Sequence, residues 1–134
     1  MTAIVLDSFA LLAYFRNEDG TEQVEQLLNE AALDKKQLFL TNVNAGEVYY
    51  IAYRKDGSEK AGLVWKAIQE FPIRLIEADM ALIYKAANLK ARYRLSYADA
   101  FAAALTIVKK ATLITGDPEF NNLNGEEGFK VTFL

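Results

Sequence analysis

The sequence has no histidine, no cysteine and no long hydrophobic run. Without histidine there is no imidazole to serve as general acid or base. Without cysteine there is no disulfide framework, no zinc knuckle and no thiol nucleophile, a composition compatible with a reducing cytoplasm. The longest apolar stretch, Ala100 to Val108, is far short of a bilayer-spanning helix. The start of the chain, Met1 to Leu6, lacks a basic region and meets Asp7 too early for a secretory signal, so a cytoplasmic location is expected. There is no excess of positive charge either: the formal net charge is −3, which argues mildly against a general nucleic-acid binder.

What is present is a globular composition. The 52% apolar and 25% charged fractions are those of a folded chain rather than a disordered one. At 134 residues, without repeats or a linker, residues 1–134 are expected to form one domain.

Short apolar runs at residues 3–6, 37–40, 73–76 and 112–114 read as buried strands, with 131–133 as a possible fifth. Between them lie stretches of helical spacing. Residues 7–16 place Phe9, Leu12 and Ala13 on one face. A second helix follows Gly20, a third covers roughly 43–55, and a fourth begins after Asp56-Gly57-Ser58, with Ser58 as its cap, and stops before Pro72. Two more are expected, one capped by Asp79 and reaching Arg94, the other capped by Ser96 and reaching about Lys110. Strands alternating with helices predict a parallel sheet of four to five strands with helices on both faces, a three-layer α/β/α sandwich. In such sheets ligands gather beyond the carboxyl ends of the strands.

Four carboxylates stand where that rule points. Asp7 ends the first strand, Asp117 follows the fourth, and Glu47 and Asp99 lie in the first turns of helices. Each has an ordinary explanation as well. Asp7 fits a helix N-cap, Glu47 a capping-box pairing with Asn44, and Asp99 a capping box with Ser96. Asp117 fits a cap before Pro118. Together they are better explained as a metal site. Four converging acids repel one another and raise their pKa values unless a cation is present, and oxygen-only ligands suit a hard ion such as Mg²⁺.

Ser8 and Thr115 flank the expected pocket and could hydrogen-bond a ligating carboxylate. Glu119 could extend the cluster, although a surface-loop acid reads more simply as solvated. Arg54, Arg92 and Arg94 could meet phosphates, or could simply be solvated helix ends favoured by the macrodipole. Tyr49, Tyr50 and Tyr53 read as core or interface rather than as base-stacking platforms.

These residues resemble the PIN-domain family, specifically the VapC-type toxins of toxin–antitoxin pairs. The likeness runs through Val5-Leu6-Asp7-Ser8, Thr41 to Tyr50, Leu95 to Ala104, and Leu113 to Phe120. The resemblance implies a Mg²⁺- or Mn²⁺-dependent endoribonuclease whose acidic quartet is Asp7, Glu47, Asp99 and Asp117. It also implies a homodimer and an antitoxin whose C-terminal segment covers the site. On that reading the cation is held mainly by Asp7, Asp99 and Asp117 and activates water for phosphodiester hydrolysis, while Glu47 orients or deprotonates the water or holds a second ion. Two other readings stay open. A catalytically silent binding module would be expected to have lost an acid, and none is lost. An aspartyl-phosphate transfer domain would want a second acid two residues after Asp7, where Phe9 stands.

Overall fold

The computed structural model describes all residues, 1–134. Five strands form one parallel sheet in the order β3-β2-β1-β4-β5: β1 Thr2–Leu6, β2 Lys36–Thr41, β3 Ile73–Ile76, β4 Thr112–Thr115 and β5 Val131–Phe133. In the pairing Ile4 faces Leu38, Val5 faces Leu113, Leu40 faces Leu75, and Ile114 faces Thr132. The order turns one way from β1 to β2 and the other way from β1 to β4. The crevice between the carboxyl ends of β1 and β4 is therefore the switch point, where parallel sheets place their ligands.

Six α-helices cover the sheet: α1 Ser8–Phe15, α2 Thr21–Ala32, α3 Asn42–Asp56, α4 Ser58–Glu70, α5 Met80–Arg92 and α6 Tyr97–Val108. Strand side chains alternate between the faces, so Val5, Phe39 and Leu113 pack with α5 and α6. Ile4, Leu6, Leu38 and Leu40 pack with α1 to α4. Helix α6 is buried from Asp99 to Thr106, and its run of small residues, Ala102-Ala103-Ala104, lets it lie close against the sheet. No helix is long and apolar enough to cross a membrane.

Several local expectations are corrected. Phe9 is not on the buried face of α1; Ala10, Leu11 and Ala13 are, and Phe9 is 45% exposed. The cap of α4 is Gly57 in a positive-φ conformation, with Ser58 already helical and making no side-chain cap. Helix α5 stops at Arg92, short of Arg94, where the Tyr93 hydroxyl is tied to Glu126. After Gly116, Pro118–Leu123 form a 3-10 helix that buries Phe120 and Leu123.

Candidate metal centre

Asp7 sits at the switch point because β1 ends there and α1 begins with the next residue. Its Oδ1 accepts from the Ala10 amide at 2.8 Å, so the ordinary N-cap role is real. Its Oδ2 accepts from Thr115 Oγ1 at 2.5 Å. The same Thr115 oxygen accepts from the Asp117 amide at 3.0 Å, so a single hydroxyl ties the ends of β1 and β4 together. Asp7 is 1% exposed, and burial pushes its carboxyl up to about 7 against the lowering effect of Thr115 and Ala10, with repulsion from Asp117 adding to the rise.

A relay of caps then links Asp117 to Asp99. Asp117 Oδ1 accepts from the Glu119 amide at 2.9 Å, and Glu119 Oε1 accepts from the Ser96 amide at 2.9 Å. Ser96 Oγ in turn accepts from the Asp99 amide at 3.1 Å. In a full capping box Asp99 itself would take the Ser96 amide. Glu119 takes it instead, which leaves the Asp99 carboxylate to face its neighbours. Burial, followed by repulsion from Asp117, a hydrogen bond to Glu119, and the charges of Asp7 and Glu47, pushes the Asp99 carboxyl up to about 8.

Glu47 is half-buried in α3, and its role as a capping partner of Asn44 is not seen. Asn44 pairs with Thr41 instead: its amide donates to Thr41 Oγ1 at 2.9 Å, and Thr41 Oγ1 donates to Asn44 Oδ1 at 2.6 Å. The Glu47 carboxylate accepts from Tyr50 Oη at 3.4 Å, and its charge acts on Asp99 without joining the oxygens that meet around it.

Carboxylate oxygens of Asp99, Asp117 and Glu119 lie within 4.8 Å of one another. An all-oxygen donor group whose members repel without a counter-charge fits a hard divalent cation. Glu119 thus stands inside the cluster rather than as a bystander.

Asn44 is a site residue that the sequence reading missed. It is fully buried, and its Nδ2 donates to Ser8 Oγ at 3.2 Å and to the Ala98 carbonyl at 3.1 Å. Its own carbonyl accepts from Ser8 Oγ at 3.3 Å. Ser8 adjoins Asp7, Ala98 adjoins Asp99, and Asn44 precedes Glu47 by three residues. One side chain therefore sets the register of three acid-bearing segments. Ser8 is turned toward Asn44 and not toward the acids, so its contribution is indirect, unlike that of Thr115.

The three arginines are placed differently. Arg92 is engaged: its guanidinium binds both oxygens of Glu126 at 2.9 and 3.1 Å, and its Nε donates to Asn88 at 2.8 Å. Arg54 lies over the Tyr50 ring, 5.1 Å from its centroid, continuing the row that begins at Glu47. Arg94 is exposed, and its carbonyl accepts from Asn122 at 2.7 Å. On the outer side of α3, Tyr49 packs edge-on against Tyr53 and Trp65 with centroids 6.1 and 5.7 Å apart. Tyr50, Tyr53 and Trp65 remain exposed.

Fold and site together define an α/β protein with an acidic centre at the carboxyl edge of a parallel sheet. The sequence matches the PIN domain over residues 4–126, and the chain belongs to the PIN-domain family. No curated protein sequence matches it. Among solved structures, VapBC2 from Rickettsia felis bound to a promoter DNA fragment aligns with a TM-score of 0.75 and 12% identity, covering 99% of each chain. VapC20 of Mycobacterium tuberculosis, a sarcin–ricin loop cleaving toxin, aligns with a TM-score of 0.72 and 17% identity over 88% of this chain and 92% of that one. A toxin–antitoxin complex from Klebsiella pneumoniae aligns with a TM-score of 0.67 and 16% identity over 94% of both. At these identities the likeness is one of fold.

Proposed function

We propose that this chain is a Mg²⁺- or Mn²⁺-dependent endoribonuclease, the toxin of a VapBC-type pair, acting in the cytoplasm. The observation that carries the reading is the meeting of the Asp99, Asp117 and Glu119 carboxylates at one crevice; Asp7 and Glu47 stand outside that trio, and their charges add to the rise of the Asp99 pKa. A bound divalent ion supplies Lewis acidity to a phosphodiester and lowers the pKa of an attacking water. The residues of the chain do the rest. Asp99, Asp117 and Glu119 would hold the cation, Asp7 is fixed in place by Thr115 and Ala10, and Glu47 would orient the water or take its proton. With no histidine in the sequence, a paired-imidazole route through the ribose hydroxyl is unavailable. The intact set of acids also speaks against a catalytically silent module.

The partner assignment rests on the family and on the exposed aromatic surface of α3 and α4. The Klebsiella pneumoniae neighbour is a toxin–antitoxin complex. Here an antitoxin segment packs on Tyr49, Tyr53 and Trp65 and sets a charged side chain at the mouth, near Arg54. The family resemblance also supports a homodimer, which sedimentation tests.

Purified protein freed of antitoxin is expected to cut RNA with Mn²⁺ or Mg²⁺ and to stop in EDTA. Cleavage that persists in chelator and survives both Asp7→Asn and Asp99→Asn would sink the assignment.

A further inference from the structure

Phe9 is the largest apolar side chain of α1 that the core does not absorb. It is 45% exposed, although it stands two residues after Asp7 in the first turn of the helix. Its ring has a defined seat. A Cβ at position 116 would overlap Phe9 Cε1 and lie 2.8 Å from Cδ1 and 3.0 Å from Cζ. Gly116 lies between Thr115, which bonds Asp7, and Asp117. The absence of a side chain at 116 therefore lets an aromatic ring rest directly on the backbone that joins two of the clustered acids.

The chain also has no excess of positive charge with which to grip a polynucleotide. Arg92 is paired with Glu126, Arg16 with Asp56, and the net charge is −3. Proteins that hold single-stranded RNA without a strong positive surface can draw affinity from aromatic rings on which bases stack. A partly exposed ring anchored beside the acids has the position and chemistry for that task.

We infer that Phe9, seated on Gly116, is a stacking platform for the nucleobase next to the phosphodiester held at the acid cluster. The inference rests on the ribonuclease reading and deepens it by naming a substrate-binding subsite. The platform is indifferent to base identity, because every base offers a π-face, and it favours unpaired over paired RNA. It positions substrate and takes no part in bond breaking.

The test compares wild type with Phe9→Tyr, Phe9→Leu and Phe9→Ala. One assay is Mn²⁺-dependent RNA cleavage. The other is fluorescence quenching of a short oligoribonucleotide carrying 2-aminopurine, measured without cleavage in EDTA. Phe9→Leu still covers Gly116 with apolar carbon but cannot stack. It should keep the melting temperature, raise KM by about tenfold or more, and leave kcat within about threefold, the pattern of lost ground-state binding. Phe9→Tyr should behave as wild type in both assays. Quenching should appear with wild type and Phe9→Tyr and be lost with Phe9→Leu and Phe9→Ala. Wild-type KM and quenching in Phe9→Leu would overturn the platform while leaving the nuclease reading intact. Quenching that depends on the ring, in a protein that cuts no RNA, would uphold the platform and remove the nuclease.

Discussion

Replacing Asp99 by asparagine should make the metal-free protein more stable, and the size of the effect follows from the site. The Asp99 carboxyl is pushed from 3.8 to about 8 by burial and by its acidic neighbours. The folded protein therefore holds a proton that the unfolded chain has released at neutral pH, and stability falls as pH rises from about 4 to about 8. At pH 7 a displacement of that size is a ceiling of about 4 kcal/mol. Side-chain relaxation and water entry into the crevice bring the expected gain for Asp99→Asn to about 1–3 kcal/mol, or roughly 3–10 °C in a chain of this length. Thermal unfolding in EDTA from pH 5 to pH 8.5 is the assay. The two proteins should melt close together at the acid end and separate as pH rises, with the variant higher. Mn²⁺ should then reverse the order, since a ligand at a hundredfold excess over its dissociation constant stabilises the folded form by about 2.7 kcal/mol and the variant has lost one of its holders. A wild-type melting temperature flat across this range, or a variant no more stable at pH 8, would refute the idea that the acids are held together against their own repulsion.

Other consequences are as specific. Thr115→Val removes the hydroxyl shared by Asp7 and the Asp117 amide, and should cost about 1–3 kcal/mol and most of the activity, with Thr115→Ser restoring both. Asn44→Ala leaves Ser8, Thr41 and the Ala98 carbonyl short of partners, and should cost about 2–4 kcal/mol in denaturant unfolding. At temperatures where that variant is still folded, kcat should fall more than KM rises, because the acid segments lose their common register. Gly116→Ala should be destabilising through its contact with the Phe9 ring, and Phe9→Ala in the same chain should recover part of the loss, which a double-mutant cycle measures.

The parts of this architecture that were legible in the sequence are those written locally. Asp7 and Asp117 close short apolar runs, and the runs did become the adjacent strands β1 and β4. Ser96 marks a helix start, and Glu47 and Asp99 both fall early in helices that begin at the carboxyl edge of the sheet. What was not legible depends on contacts between distant segments. Glu119 enters the cluster through the Ser96 amide 23 residues away, and Arg92 is taken up by Glu126 34 residues away. Asn44 reads locally as part of a cap, while its reach to Ser8 and Ala98 spans 36 and 54 residues. Helical spacing groups Phe9 with Leu12 and Ala13, but spacing alone does not say which of two apolar stripes meets the sheet. The short, nearly all-apolar α1 gives periodicity little contrast to work with.

The most direct test of the central claim is cleavage of RNA by the purified, antitoxin-free chain, followed in Mn²⁺, in EDTA and after Mn²⁺ is restored, for wild type and for Asp99→Asn. The account predicts cutting in Mn²⁺ that stops in EDTA, returns with the metal, and falls by at least about a hundredfold in the variant. Equal cutting by both proteins, or cutting untouched by chelation, would contradict it.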